Sequence, residues 1–132
     1  MSGTTANLNN TGDNFDTGND SIVIVSNLEA ISGGKTLNTT GFNPAAIQAG
    51  HIVIEETSTE VLKPMPISGA NYGALPAGHT YKGIVVSSVL TTKPFVAVMV
   101  RGSVNKNASP YGIASILSAV KTALPLIRFT QD

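Results

Sequence analysis

The chain contains no cysteine. That excludes a disulfide framework and a thiolate metal site, so stability has to come from a packed core or from assembly. Charge is scarce as well: 12% of the 132 residues are charged, eight acidic against eight basic, and the formal net charge is zero. With basic residues scattered from Lys35 to Arg128, the chain has no electrostatic footprint for nucleic acid or for an anionic membrane, and neither is expected as a partner. No run approaches the ~18 apolar residues of a membrane span, and MSGTTANLNN lacks the basic and apolar regions of a secretory leader. The expectation is a soluble protein made in a cytoplasm. A small domain ordinarily carries about 25–35% charge on its surface. Here Asn, Thr and Ser supply solubility instead, and low charge also suits a chain that hides surface in an assembly.

Recognisable chemistry is sparse too. The two histidines, His51 and His79, each follow Ala-Gly at a turn-to-strand junction. As a pair they are candidate ligands for a small metal-dependent enzyme, but no Asp, Glu or Cys stands at ligand spacing beside them, and a turn histidine bonded to a backbone carbonyl has the same signature. Glu55 and Glu56 are adjacent, so on a strand they face opposite sides and cannot work as a paired acid and base. No G-x-S-x-G elbow, Walker loop or strand-linked G-x-G-x-x-G occurs. The expectation is a non-enzyme with no catalytic residue, no cofactor and no metal.

What the chain does have is β pattern. Its length fits one domain, and its character changes at Asp20. Before it, TTANLNNTGDNFDTGND holds only Ala6, Leu8 and Phe15 as apolar residues, too little to offset the roughly 1–2 kcal/mol per residue that ordering a backbone costs. Residues 1–20 are therefore expected to be a flexible arm, and residues 21–132 a single β-rich domain. SIVIVSNL reads as a strand, SGGKTLNTTG as a loop, and HIVIEE as a second strand. VLKPMPISGANYGALPAG, with Pro64, Pro66 and Pro76, cannot be a central strand. YKGIVVSSVL and KPFVAVMVRGSV read as two strands of a hairpin or close meander about Thr91-Thr92, and PLIRFT as a short last strand. One helix is expected near 110–124: Ser109 suits the N-cap, Pro110 the first helical position, Pro125 the stop, and Ile113, Ile116, Leu117, Val120 and Leu124 form one face. The fold class is mainly β with one substantial α-helix, an α+β arrangement.

In KPFVAVMVRGSV, alternation places Phe95, Ala97 and Met99 on one face and Val96, Val98 and Val100 on the other, all apolar, so both faces should be covered. A small, weakly charged domain can gain stability by oligomerising. Phe95, Met99 and Arg101 are accordingly the candidate subunit contacts.

The succession IQAGHIVIEE, LPAGHTYKGIVVSSV, KPFVAVMVRGSVN and VKTALPLIRFTQD, across roughly residues 45–130, resembles the head decoration proteins of tailed phages, the lambda-type capsid-stabilising trimers, and related small head-fibre proteins. The resemblance implies a compact β-rich body that forms a homotrimer on the outer surface of the expanded head. It also implies a polar N-terminal arm that orders by adding β-structure to the major capsid protein. Carried onto this chain, the arm residues Asn7, Leu8, Asn9, Asn10, Thr11 and Phe15 would bind the capsid, with Leu8 and Phe15 filling pockets. No catalytic residue is implied. The arm is richer in Asn and Thr than the family pattern, and residues 21–41 add a strand and loop to its core. The alternative within virions is a head-fibre or adhesion module whose loops Ser32–Gly41 and Met65–Gly78 touch a host glycan or another head-fibre component, with Tyr72 or Tyr81 as the aromatic platform.

Overall fold

The computed structural model describes residues 20–131. In chain order its elements are a helical turn α1 (Asp20–Val23), β1 (Ile24–Ala30), β2 (Lys35–Thr36), β3 (Ala46–Ile47), β4 (Ile52–Glu56), β5 (Leu62–Pro64) and β6 (Ile67–Ser68). They continue with β7 (Asn71–Tyr72), β8 (His79–Val85), β9 (Val89–Leu90), β10 (Phe95–Val96), β11 (Val98–Asn105), α2 (Leu117–Ala123) and β12 (Ile127–Thr130). The fold is mainly β with one helix of more than a single turn, the α+β class expected from the pattern. No helix among the described residues is long and apolar enough to cross a membrane.

A six-stranded sheet organises the body in the order β1-β11-β8-β4-β5, with β12 also pairing β11, in parallel. Its central strands are apolar on both faces because each face carries its own core. Along β4, Ile52 and Ile54 enter one cluster with Ile84, Met99 and Val104, while Val53 enters the other with Val85, Val96 and Val98. The period-two geometry of a strand makes this division automatic. α2 closes the first core with Val120 and Leu124. Leu37, Ile47 and Leu62 fill the second. Each fully buried aliphatic side chain contributes about 1.5–3 kcal/mol relative to exposure. The sheet ends at β5 on one side, where Pro64 is tolerated because an edge strand needs no donor on its outer side.

Three expectations need correction. The helix spans Leu117–Ala123, not 110–124, and Ile116 rather than Ser109 is its N-cap. Gly112 is taken by β-type pairing: it accepts from the Tyr72 amide at 3.0 Å and donates to the Ala70 carbonyl at 2.8 Å. That pairing holds the Ser109–Gly112 stretch out of the helix. The hairpin about Thr91-Thr92 does not form either. β8 and β11 do pair, Val85 with Val98 and Ile84 with Met99, but the segment between them makes two excursions, β9 to β3 and β10 to β2. Finally, helical turn α1 occupies the start of the expected first strand, so β1 begins only at Ile24.

Asp20, placed by composition in the arm, is part of the body. Its carboxylate accepts from the Ser88 amide at 2.9 Å and from the Ser88 hydroxyl at 2.7 Å. The same Ser88 oxygen accepts from the Ala49 amide at 2.9 Å. The clamp fixes the point where the chain enters the fold. Asn7, Leu8, Asn9, Asn10, Thr11 and Phe15 lie outside the described residues.

Candidate functional site

The three candidate subunit contacts on and beside the long strand differ in exposure. Phe95 is 59% exposed and Arg101 is exposed, so both can meet a neighbour. Met99 cannot. It is fully buried, packed with Ile52, Ile84 and Val104, and the expectation that it lines a subunit contact is overturned. Alternation holds across Ala97, which separates β10 from β11 and whose carbonyl accepts from the Val86 amide at 3.1 Å, since Val96 and Val98 share one core; the face that carries Met99 is covered by the chain itself. Val98 and Met99 then turn to opposite cores.

The opposite flank of the sheet is its least covered part. β1 pairs with β11 on one side only, and among the described residues nothing pairs with its outer edge. It carries Val25 at 50% and Leu28 at 64% exposure, and Ile22 just before it is also exposed. Beyond β11, Leu126 is 64% exposed, and its carbonyl receives the Gly102 amide. A seven-residue edge strand with solvent-facing aliphatic side chains is a template for another chain. Sequence reading missed Leu28, Leu126 and Arg128 in this role, because IVSNLEA does not alternate and Leu126 lies two strands away across the sheet.

The two loops singled out for a head-fibre role do meet. Asn38, Gly41 and Phe42 from one side and Pro66 and Pro76 from the other line a cleft of about 240 Å³, floored by Ile54 and closed by Lys63 and His79. Tyr72 is buried and Tyr81 half-buried, so neither forms the exposed platform expected of them; Phe42 is the aromatic ring at the cleft. The polar end is internally neutralised. Lys63 Nζ lies 3.1 Å from His79 Nε2 and 3.3 Å from the Glu56 carboxylate. His79 Nδ1 lies 2.9 Å from the Ala77 carbonyl, to which it donates, leaving Nε2 to accept from the ammonium. The hydrogen bond from Lys63 holds the Glu56 carboxyl below its usual range.

His51 belongs to neither region. It is fully buried, its Nε2–H donates to the Met65 carbonyl at 2.9 Å, and Nδ1 has no partner among the described residues. The rings of Phe42, Tyr72 and Tyr111 present edges to it at centroid distances of 5.2, 5.2 and 5.5 Å. Burial pushes its pKa down to about 4, against a smaller opposing effect of the Met65 carbonyl. Burial likewise raises the Tyr72 hydroxyl, which accepts from the Ile52 amide and donates to the Gly50 carbonyl. This is a core histidine in an aromatic cage. Among the described residues, no group of three or more His, Asp or Glu side chains is placed to hold a metal ion.

No family model, curated protein or solved structure matches the chain.

Proposed function

We propose that this chain is a structural protein of a tailed-phage virion, made in the host cytoplasm, which binds the outer surface of the capsid as a homotrimer and stabilises the expanded head. The observation that carries the reading is the way the chain enters its body. Asp20 is clamped on Ser88, and the next strand is a partly apolar edge whose outer side no described residue pairs. Asp20 is thus a fixed anchor beside a surface suited to strand addition, and residues 1–19 precede that anchor in the sequence. The stretches behind the family resemblance support it further: HIVIEE, YKGIVV, VMVRGSV and IRFT lie in one sheet, as β4, β8, β11 and β12.

The mechanism is linkage. A ligand that binds only the expanded shell shifts the shell's equilibrium towards that state by mass action. Residues 2–19 would pair their backbone with a strand edge of the major capsid protein while Leu8 and Phe15 seat in pockets, and three arms on one trimer multiply affinity through effective concentration. Nucleic acid, membrane and cofactor have no part in the proposal.

The test is sedimentation with expanded heads stripped of the protein, using the full chain and a chain lacking Ser2–Asn19; the cut stops short of Asp20 to spare its bonds to Ser88. Saturable co-sedimentation of the full chain alone supports the reading. Equal binding by both, or by neither, refutes it. The cleft between the two loops favours one second reading, a head-fibre or adhesion module for a host glycan. In that case Asn38→Ala with Phe42→Leu would abolish attachment to host cells and leave head binding unchanged.

A further inference from the structure

The ion pairs of this sparsely charged chain are unevenly placed. Both that form among the described residues, Glu56 with Lys63 and Glu55 with Lys82, sit at the β4–β5–β8 end of the sheet. The other end holds the chain's only two arginines, Arg101 and Arg128, and the acidic Glu29, all exposed. None of the three makes an ion pair among the described residues, although Glu29 stands directly opposite Arg101 in the β1–β11 register. Arg128 on β12 is beside Ser103 of β11, so Glu29 and Arg128 flank β11 from its two sides. The exposed aliphatic side chains divide in the same way, Val25 and Leu28 on the β1 side and Leu126 on the β12 side.

One flank thus offers an open strand edge, two aliphatic side chains and a carboxylate, and the other offers an aliphatic side chain and guanidinium groups. The two halves complement each other in charge and in apolar character; Arg101 stands opposite Glu29 without an ion pair between them, and β11 separates the β1 edge from Leu126 and Arg128. We propose that they meet between copies, the β1 edge of one chain packing head-to-tail against the β12 flank of the next, with Leu28 on Leu126 and Glu29 on Arg128 and Arg101. The occupant is a second copy of this chain, since no other partner would carry both halves by construction. A contact between two different patches is heterologous, and a heterologous contact closes into a ring when its rotation allows, which is how an odd number of copies can assemble. Arginine is also enriched at protein interfaces, and guanidinium–carboxylate pairs gain strength from bidentate geometry. The inference rests on the proposed trimer for its copy number and on nothing in the capsid.

The experiment is sedimentation equilibrium of the full chain in its wild-type form and as Glu29→Arg, Arg101→Glu/Arg128→Glu, and the triple reversal combining all three, with thermal melting of each. The proposal expects wild type at a multiple of the single-chain mass, the first two variants at the mass of one chain but still melting cooperatively as folded chains, and recovery of the multiple in the triple variant. A second measurement does not depend on charge. Because the chain has no cysteine, mixing a Leu28→Cys chain with a Leu126→Cys chain under oxidation should give a covalent mixed pair. Wild type at single-chain mass overturns the proposal, as does wild-type mass in both charge variants or failure of the cysteine pair to link. So does a wild-type chain that associates only when residues 2–19 are removed, which would show them covering the patch in cis. Association without co-sedimentation on heads would leave this contact standing and remove the capsid reading.

Discussion

Acid should destabilise the body through His51. The imidazole is sealed among Phe42, Tyr72 and Tyr111 with Nε2–H given to the Met65 carbonyl, so a second proton would go to Nδ1, which has no acceptor among the described residues. The folded pKa is down at about 4, whereas the released side chain titrates at 6.5. The unfolded chain therefore takes up the proton first as pH falls. The stabilisation tied to neutral His51 is fully present above pH 6.5, declines below it, and is lost by pH 4. At about 1.4 kcal/mol per unit, the gap amounts to about 3 kcal/mol, a large share of the stability of a small domain. Urea melts of wild type and His51→Gln at half-unit steps from pH 7.5 to 3.5 isolate it. Glutamine keeps an amide donor for Met65 and does not titrate, and the carboxylates, Glu56 among them, drop out of the difference. Wild type minus variant should fall by about 3 kcal/mol across the window. A flat difference, or a His51 imidazole titrating near 6.5 by NMR in the folded protein, would refute the reasoning.

Other perturbations have comparably definite outcomes. Gly102 has φ 156°, and a Cβ there would run into the Ser26 carbonyl and the Met99 sulfur, so Gly102→Ala should cost more than about 2 kcal/mol in denaturant melts. Glu60 holds φ 60° at the tip of the β4–β5 hairpin, where glycine is at ease; Glu60→Gly should raise stability by about 0.5 kcal/mol, the relief of strain exceeding the entropy that glycine adds to the unfolded chain. Asp20→Ala removes the acceptor of the Ser88 amide and leaves its hydroxyl only Gln48 Oε1 at 3.1 Å, and should cost about 1–2 kcal/mol, read by thermal melting, with faster amide exchange at Ser88.

The parts of the fold visible in the sequence are those where one strong local pattern meets no competitor. HIVIEE and YKGIVV are β-branched runs long enough to be strands anywhere, and the two-sided apolar character of KPFVAVMV announced a covered sheet. Proline at 64 and 66 correctly excluded a central position for β5. Misreadings arose where a remote partner outbid a local signal. Ser109-Pro110 with periodic apolar residues is a proper helix start, but Gly112 is captured by the backbone of Ala70 and Tyr72. Thr91-Thr92 looked like a turn between partners, yet Val89 and Phe95 each pair with strands more than forty residues earlier in the chain. Met99 was placed on its face correctly, opposite Val96 and Val98, but that face is covered by Ile52, Ile84 and Val104 of the same chain, which only the fold supplies. At the proposed contact, Arg101 was already a candidate from the end of its strand. Glu29, Leu126 and Arg128 were not, because their significance lies in the flank each occupies, and only the strand order supplies that.

The pairing of β1 with β11 also sets a timetable for synthesis. Ile24 waits for Val104 and Ala30 for Met99, so among the described residues β1 has no strand partner until most of the chain has followed. At about 5–20 residues per second that interval is roughly 4–15 s, with Val25 and Leu28 and a complete row of unpaired backbone groups in water throughout. Nascent copies on one message are close together during that time, and each offers the same unpaired strand. Overexpression should therefore produce insoluble chain in proportion to translation rate, and slowing initiation should recover soluble protein without any change to the sequence.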